Sequence, residues 1–198
     1  MPFAEPPASA AWQHRDARAG FEVLRTSRGQ GIGWTLHGTT TAVENGTAWA
    51  VEYVIEVDDD WRTRRARVRH PLDGRPGEPA EVTLEKAADG RWLVNGRHVP
   101  AVDGCVDVDL ESSAVTNALP VHRLRLDVDE AADAPAVYVR AADLTVDRLE
   151  QTYTRLPDNA AGRQCYAYAA PAFDFTARLV YDESGFVLDY PGLAVRRA

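Results

Sequence analysis

Asp107 and Asp109 stand two residues apart in the run Cys105-Val106-Asp107-Val108-Asp109-Leu110. In an extended chain that spacing puts both carboxylates on one face, roughly 6 to 7 Å apart, a separation that could serve general acid and base work on a glycoside. Asp alternating with Val is equally the pattern of any solvent-facing strand, and catalytic carboxylate pairs usually come from different strands.

A second constellation follows Trp61, where Arg62, Arg64, Arg65, Arg67 and Arg69 crowd one short stretch. Strand geometry places Arg65, Arg67 and Arg69 on one face and Arg62 and Arg64 on the other, so both faces read as cationic. One reading is a solvent-facing ladder paired with acidic neighbours such as Asp107, Asp109 and Glu111, each exposed pair contributing roughly 0 to 1 kcal/mol. The other is a set of bidentate donors for a phosphate, carboxylate or sugar head group, which the planar guanidinium suits.

Other reaction chemistry is not announced. His14, His37, His70, His98 and His122 show no HxH or HExxH spacing, and Cys105 and Cys165 lie far apart in no CxxC arrangement. A metal site is therefore unsupported, and two reduced, partly buried thiols are expected. No GxSxG elbow occurs, and Gly29-Gln30-Gly31-Ile32-Gly33 lacks the Lys-Ser/Thr pair of a phosphate-binding loop. No cofactor and no catalytic residue are implied. Five tryptophans and seven tyrosines supply core and, in part, pocket wall.

The elements that must position these groups are strands. Trp49, Val51, Tyr53, Ile55 and Val57 alternate with Glu52, Glu56 and Asp58, and Phe173, Phe175, Leu179 and Tyr181 repeat the pattern near the end. Turn signals recur at short intervals: Gly29-Gln30-Gly31, Asn45-Gly46, Asp73-Gly74, Asp89-Gly90, Asn95-Gly96, Asp103-Gly104 and Ser184-Gly185. Arg75-Pro76-Gly77-Glu78-Pro79 and Leu156-Pro157-Asp158-Asn159 read as surface loops. Helix is confined to a single turn over Glu111 to Val115. Roughly 12 to 15 short antiparallel strands are too many for one flat sheet, which must curl, close or fold on itself. The expected fold is all-β, with residues 1–11 a loose leader and 12–198 one domain.

The chain has 198 residues, is 45% hydrophobic and carries a formal net charge of −8. That balance fits one core-forming domain and disfavours nucleic acid and anionic lipid surfaces as partners. Positive charge is nearly all arginine, Lys86 being the only lysine. No apolar run is long enough for a membrane span, and the N-terminus lacks the basic and apolar regions of a secretion signal, so a cytoplasmic location is expected.

Several stretches, taken in order, resemble the putative glycolipid-binding family of bacterial proteins. They are Asp60-Trp61-Arg62-Thr63-Arg64, Trp92, Gly104 to Leu110, Thr116-Asn117-Ala118-Leu119-Pro120, Arg123-Leu124, Gln151-Thr152-Tyr153 and Asp189-Tyr190-Pro191-Gly192-Leu193. The resemblance implies a spiral β-roll, a many-stranded sheet wrapped into a partly open half-barrel, similar in shape to bacterial envelope carriers of lipoproteins and lipids. Two departures stand out: His122 where an arginine is expected beside Arg123, and Ala114 where a proline is common. The histidine makes the local charge sensitive to pH near neutrality.

Pro120 has no N–H and biases Leu119 away from helix, so Thr116 to Pro120 reads as a rigid corner between an acidic strand and a basic one carrying Arg123 and Arg125. That corner is further expected to edge the cavity mouth, with Asn117 and Arg123 near Trp61, Arg62 and Arg64, where a polar head group would sit. The expected ligand-binding residues are Trp61, Arg62, Arg64, Asp107, Asp109, Asn117, Arg123, Gln151, Tyr153 and Tyr190. The expected partner is an amphipathic small molecule or glycolipid, held without chemistry and with its apolar part against aromatic and aliphatic walls. Two alternatives stand beside it: an enzyme acting on a polar lipid or sugar through Asp107, Asp109 and the arginines, and an interaction module whose cavity is filled by its own side chains.

Overall fold

A computed structural model describes residues 3–16, 18–29, 33–71, 80–111 and 113–198. The alternating runs become strands. Ser9–His14 (β1), Ala19–Arg28 (β2), Trp34–Glu44 (β3), Thr47–Val57 (β4), Thr63–Arg69 (β5), Glu81–Lys86 (β6), Trp92–Val94 (β7) and Arg97–His98 (β8) pair antiparallel in sequence order. The chain then leaves this meander for Asp107–Leu110 (β9) and one helix, Ala118–Leu124 (α1). It returns through Ala131–Asp133 (β10), Ala136–Val139 (β11), Val146–Leu149 (β12), Thr152–Leu156 (β13), Cys165–Ala170 (β14), Phe175–Tyr181 (β15), Val187–Tyr190 (β16) and Ala194–Arg196 (β17).

Fourteen of these strands form one antiparallel sheet, ordered β10-β13-β14-β15-β16-β17-β1-β2-β3-β4-β5-β6-β7-β8, whose two ends do not pair with each other. The remaining three form a small sheet, β12-β11-β9, in which β9 and β11 run parallel. The fold is thus the expected all-β roll, left open. Among the described residues seventeen strands stand against the expected 12 to 15, because several short pairings of two to four residues escape a reading by alternation.

The sheet has to curl. Between β2 and β13 lie six strand intervals, about 29 Å in a flat sheet at about 4.8 Å each. Yet Glu22 on β2 accepts a hydrogen bond from the Ala114 N–H at 2.8 Å, and Tyr153 on β13 accepts one from Asn117 Nδ2 at 2.9 Å. Ala114 and Asn117 are three residues apart, so the inner faces of both strands converge on one short segment. That segment, α1 and the small sheet occupy the concave side. Leu24, Ile55, Leu84, Val108, Val137, Leu119, Tyr153 and Leu179 belong to one continuous core.

Local chemistry explains the individual elements. β4 buries Val51, Tyr53, Ile55 and Val57 while Glu56 stays exposed. Asn45 and Gly46, both at positive φ (51° and 77°), make the two-residue turn that returns β3 into β4 with the right twist. Trp12 and Trp92 are fully buried, and their indole N–H groups donate to the Val187 and Cys105 carbonyls at 2.6 and 2.9 Å. A buried indole left without an acceptor would cost about 1 to 3 kcal/mol. Cys105 and Cys165 are buried and unpaired.

The expected corner and basic strand over Thr116 to Leu126 are replaced by helix. A 3-10 turn, Val115–Asn117, runs into α1, which stops at Arg125 in the left-handed conformation (φ 51°). Pro120 falls in the first turn, where its missing N–H has no intrahelical acceptor to lose. Ala118 to His122 are all buried, so the segment shows no polar stripe that would identify a helix. The single helical turn expected over Glu111 to Val115 includes Ser112, outside the described residues, as are the expected turns at Gly29-Gln30-Gly31 and Asp73-Gly74 and the loop Arg75 to Pro79. Phe173 lies in a 3-10 turn, Pro171–Phe173, and not in the strand assigned to it. The segment expected as a leader, 1–11, ends inside β1. Within it the Ala4 N–H bonds the Glu183 carbonyl at 2.7 Å and Phe3 packs on His122 at 4.7 Å.

Candidate functional site

The arginine stretch resolves first. β5 exposes Arg65, Arg67 and Arg69 on its outer face and buries Ala66 and Val68 on the inner one. The ladder forms, but with different partners: Arg65 pairs with Glu85 at 3.1 Å, Arg67 with Glu81 at 2.6 Å and Arg69 with Glu52 at 2.5 Å. The β4–β5 register shifts between Glu56 and Val57, with Thr63 opposite Val57 and Arg65 opposite Glu56. Arg64 is the extra residue of this bulge and is exposed, so the expected second cationic face does not exist. Arg62 is exposed too, its N–H bonded to the Asp58 carboxylate at 2.9 Å, though its charge still acts on Asp107.

Neither aspartate of β9 is solvent-facing on the outside, because β9 lies within the roll and both its faces are covered. Asp107 is 1% exposed and takes a two-pronged contact from Arg123, Nε to Oδ1 at 3.1 Å and Nη2 to Oδ2 at 2.6 Å. Burial pushes the Asp107 carboxyl above its ordinary range, with Arg123 pulling the other way. Asp109, two residues on, has a different environment. Its Oδ1 accepts from the Thr116 hydroxyl at 2.7 Å and its Oδ2 from Gln151 Nε2 at 2.9 Å. Burial raises it to about 6, against the pull of those two hydrogen bonds.

Asp109 lines a cavity of about 230 Å³, open on one side, with Arg18, Glu111, Asn117, Tyr138, Tyr168 and Tyr190 among the walls and Phe173, Phe175 and Leu193 also facing it. Tyr168, Phe175 and Tyr190 form a triangle of rings with centroids 6.0 to 6.1 Å apart, and Tyr138 packs on Phe173 at 5.5 Å. Asn117 donates to the Tyr153 hydroxyl, which in turn donates to Gln151 Oε1 at 3.3 Å. A chain of hydrogen bonds thus runs Asn117, Tyr153, Gln151, Asp109 and Thr116. Behind the Ser113 wall, Glu22 is fully buried and accepts from the Ser113 and Tyr53 hydroxyls and the Ala114 N–H. Burial raises its carboxyl to about 6.

Asp109, Asn117 and Tyr190 therefore line one cavity, while Gln151 and Tyr153 are not in its lining and are tied to it by hydrogen bonds to Asp109 and Asn117. Asp107 and Arg123 are spent on each other beside it. Trp61 sits elsewhere, in a separate hollow of about 260 Å³ with Phe3, Trp34 and Arg125. It adopts φ 61°, unusual for a bulky residue, and stacks on His122 with centroids 3.6 Å apart and planes within 9°. His122 is itself buried, bonded through Nε2 to the Ser184 carbonyl at 3.0 Å, and burial lowers its pKa to about 3. The expected pH-sensitive charge near neutrality is absent there, because the ring is sandwiched out of water.

Sequence reasoning missed Arg18, Glu111 and Tyr138 as cavity residues, and it had Tyr168 only as aromatic supply and Phe175 only as one residue of an alternating strand. Arg18 lies just before β2 with no pattern around it, but its side chain is 7% exposed, with Nη1 on the Glu111 carbonyl at 3.0 Å and the guanidinium 5.5 Å from the Trp49 ring. Glu111 was legible in principle, being the next residue on the face shared by Asp107 and Asp109. Among the described residues no group of three or more His, Cys, Asp and Glu side chains could hold a metal, and no helix is long and apolar enough to cross a membrane.

Comparison with known proteins adds three findings. A family model described as putative glycolipid-binding matches residues 9–196. The crystal structure of a DUF1089 family protein from Pseudomonas aeruginosa is similar over 100% of this chain and 97% of its own, at 27% identity and a TM-score of 0.68. A beta-barrel-like protein of a domain of unknown function, DUF1849, from Brucella abortus aligns over 98% of this chain and 95% of its own, at 11% identity and a TM-score of 0.53, which is a likeness of fold. No curated protein matches.

Proposed function

This chain belongs to the putative glycolipid-binding family, and from that membership and the cavity at Asp109 we propose that it binds an amphipathic ligand of glycolipid type by its polar head, without chemistry on it. The observation that carries the reading is the lining: flat aromatic faces on several sides and, between them, a carboxylate, an amide and phenol hydroxyls within one small space. Aromatic faces suit the C–H faces of a sugar ring, and the acceptors and donors suit its hydroxyls.

Size decides the orientation. A cavity of about 230 Å³ suits one compact polar head, with the larger acyl part read as lying outside it. The apolar part would leave past Phe173, 47% exposed, and Leu193 at the mouth. In this reading the acyl part lies outside the roll, whose concave side holds α1 and the small sheet. The same reading keeps the protein in the cytoplasm, where its unpaired cysteines would stay reduced.

Native mass spectrometry of protein purified from a bacterial host, followed by organic extraction, tests the proposal. A co-purifying amphipath near one per chain, displaced by n-octyl β-D-glucopyranoside and lost in Tyr190→Ala, is the expected result. An apo mass that stays unchanged after incubation with lipid extract and with the glucoside would overturn it. One observation favours a second reading: Asp109, at about 6, is poised as a general acid in a cavity that also holds Arg18. Release of nitrophenol from p-nitrophenyl glycosides, abolished by Asp109→Asn, would move the protein to that class.

A further inference from the structure

The three carboxylates on one face of β9 and its continuation are treated unequally. Asp107 meets Arg123 on both oxygens. Asp109 and Glu111, which line the cavity, have no cation within 4 Å among the described residues. Asp109 is held by a hydroxyl and an amide, and Glu111 by the Ala141 N–H at 2.7 Å. Arg18, the cation on the same wall, is already engaged: its Nη1 is on a backbone carbonyl, its Nε lies 4.0 Å from Glu44 and its plane is close to Trp49. Its Nε is buried without a hydrogen-bond partner, and its charge acts on Tyr138 and Tyr190 and is not in an ion pair with Asp109 or Glu111.

Buried or half-buried charges in folded proteins are ordinarily answered by an opposite charge or a full set of donors. Asp109 and Glu111 have hydrogen-bond donors but, among the described residues, no ion-pair partner. Arg140, whose charge also acts on Glu111 and Tyr138, is bonded to Asp147 at 3.0 Å. Tyr138, Tyr153, Tyr168, Tyr181 and Tyr190 face Asp109 from β11, β13, β14, β15 and β16, and each has its hydroxyl pKa raised partly by that carboxylate, so all stay neutral at pH 7. Asp107 on its own strand adds like charge. Rings of Tyr138, Tyr168 and Tyr190 present their π faces or hydroxyls to the same space, and aromatic faces attract cations.

We infer that the head group bound here carries a protonated amine, directed at Asp109 and Glu111, so that the site selects an amino sugar over a neutral or acidic one. This rests on the head-group reading above and adds the class of head. Neutral sugar hydroxyls would satisfy the acceptors but leave an excess of negative charge, two carboxylates against the one engaged guanidinium of Arg18, and a uronic acid would add to it.

Three probes separate the cases: n-octyl β-D-glucopyranoside, its 2-amino-2-deoxy counterpart and n-octyl β-D-glucopyranosiduronic acid, titrated calorimetrically below their micelle concentrations at low salt. At pH 7 the amino glucoside should bind at least tenfold more tightly than the neutral one, and the acidic one more weakly than both. The preference should shrink as pH falls through about 6, where Asp109 takes up its proton. Asp109→Asn should abolish it. Glu111→Gln, which keeps an oxygen for the Ala141 N–H, should reduce it by severalfold with an unchanged melting temperature, and serves if the first variant folds poorly. Equal affinity for the amino and neutral glucosides, or tighter binding of the acid, overturns the inference and leaves the head-group reading standing. Failure of all three to bind removes both.

Discussion

Replacing Arg123 by Met tests how Asp107 is held inside the roll. Met keeps much of the apolar stem and deletes the guanidinium, leaving a 1%-exposed carboxylate without its two-pronged partner. Removing one member of a buried pair costs about 3 to 5 kcal/mol. The loss has a ceiling, because the carboxyl can escape by binding a proton. Protonating an acid of ordinary pKa about 3.9 at pH 7 costs about 1.36 × 3.1, or roughly 4 kcal/mol, and at pH 5 only about 1.5 kcal/mol. The folded pKa of Asp107, already raised by burial, rises further in the variant, so the variant is least penalised below the unfolded pKa and loses stability as pH rises above it. Urea denaturation followed by tryptophan fluorescence at pH 5, 6, 7 and 8 should show a loss of about 3 to 4 kcal/mol at pH 7, shrinking to about 1.5 kcal/mol or less at pH 5. In a calorimeter the pH 7 loss corresponds to a melting point lower by about 6 to 16 °C for a chain of this size. Adding Asp107→Asn to Arg123→Met should remove the pH dependence. A loss under about 1 kcal/mol at pH 7, or one undiminished at pH 5, would refute the assignment of Arg123 to charge neutralisation inside the fold.

Three further outcomes follow from the same geometry. Gly38 faces Tyr53 across the β3–β4 ladder, and a Cβ there would lie 2.1 Å from the tyrosine ring. Gly38→Ala should therefore push Tyr53 off Glu22 and cost about 1 to 3 kcal/mol in urea unfolding, whereas an unchanged midpoint would mean the ring has room to move. Glu22, raised to about 6, contributes stability that is fully present below its unfolded value of 4.5 and lost as pH rises to about 6, on the order of 2 kcal/mol. Carboxyl carbon NMR should place its midpoint near 6, and a midpoint near 4.5 contradicts its burial. His122, lowered to about 3, should stay neutral in the folded state from pH 8 to 5, so Trp61 fluorescence is flat there; stability from this group is present above the unfolded value of 6.5 and is lost as pH falls below it. A fluorescence transition centred near 6.5 would show the ring to be wet.

The sequence alone determined the strand-rich roll, the hairpin turns and the two aspartates worth attention. Alternation in Trp49 to Val57 comes from one face seeking the core, and Asn45-Gly46 supplies the positive φ angles of a tight return; both causes act within a few residues. The family resemblance, carried by ordered short stretches, was likewise legible. Tertiary structure decided everything that depends on which face is inside. Arg65, Arg67 and Arg69 look the same in sequence whether they clasp a ligand or a neighbouring strand, and only the registers of β4 and β6 gave them Glu52, Glu81 and Glu85. Helix α1 was hidden because it is buried on all sides, which removes the polar stripe that marks a helix. Asp107 and Asp109 read as equals, two residues apart on one face. The curl of the large sheet and the path of α1 brought Arg123 to the first, while the cavity opened at the second, so one carboxylate became part of the core and the other lines a cavity. Local forces select a strand and its two faces; charge pairing and enclosure are set by segments far away in the chain, and those meet only when the sheet closes around them.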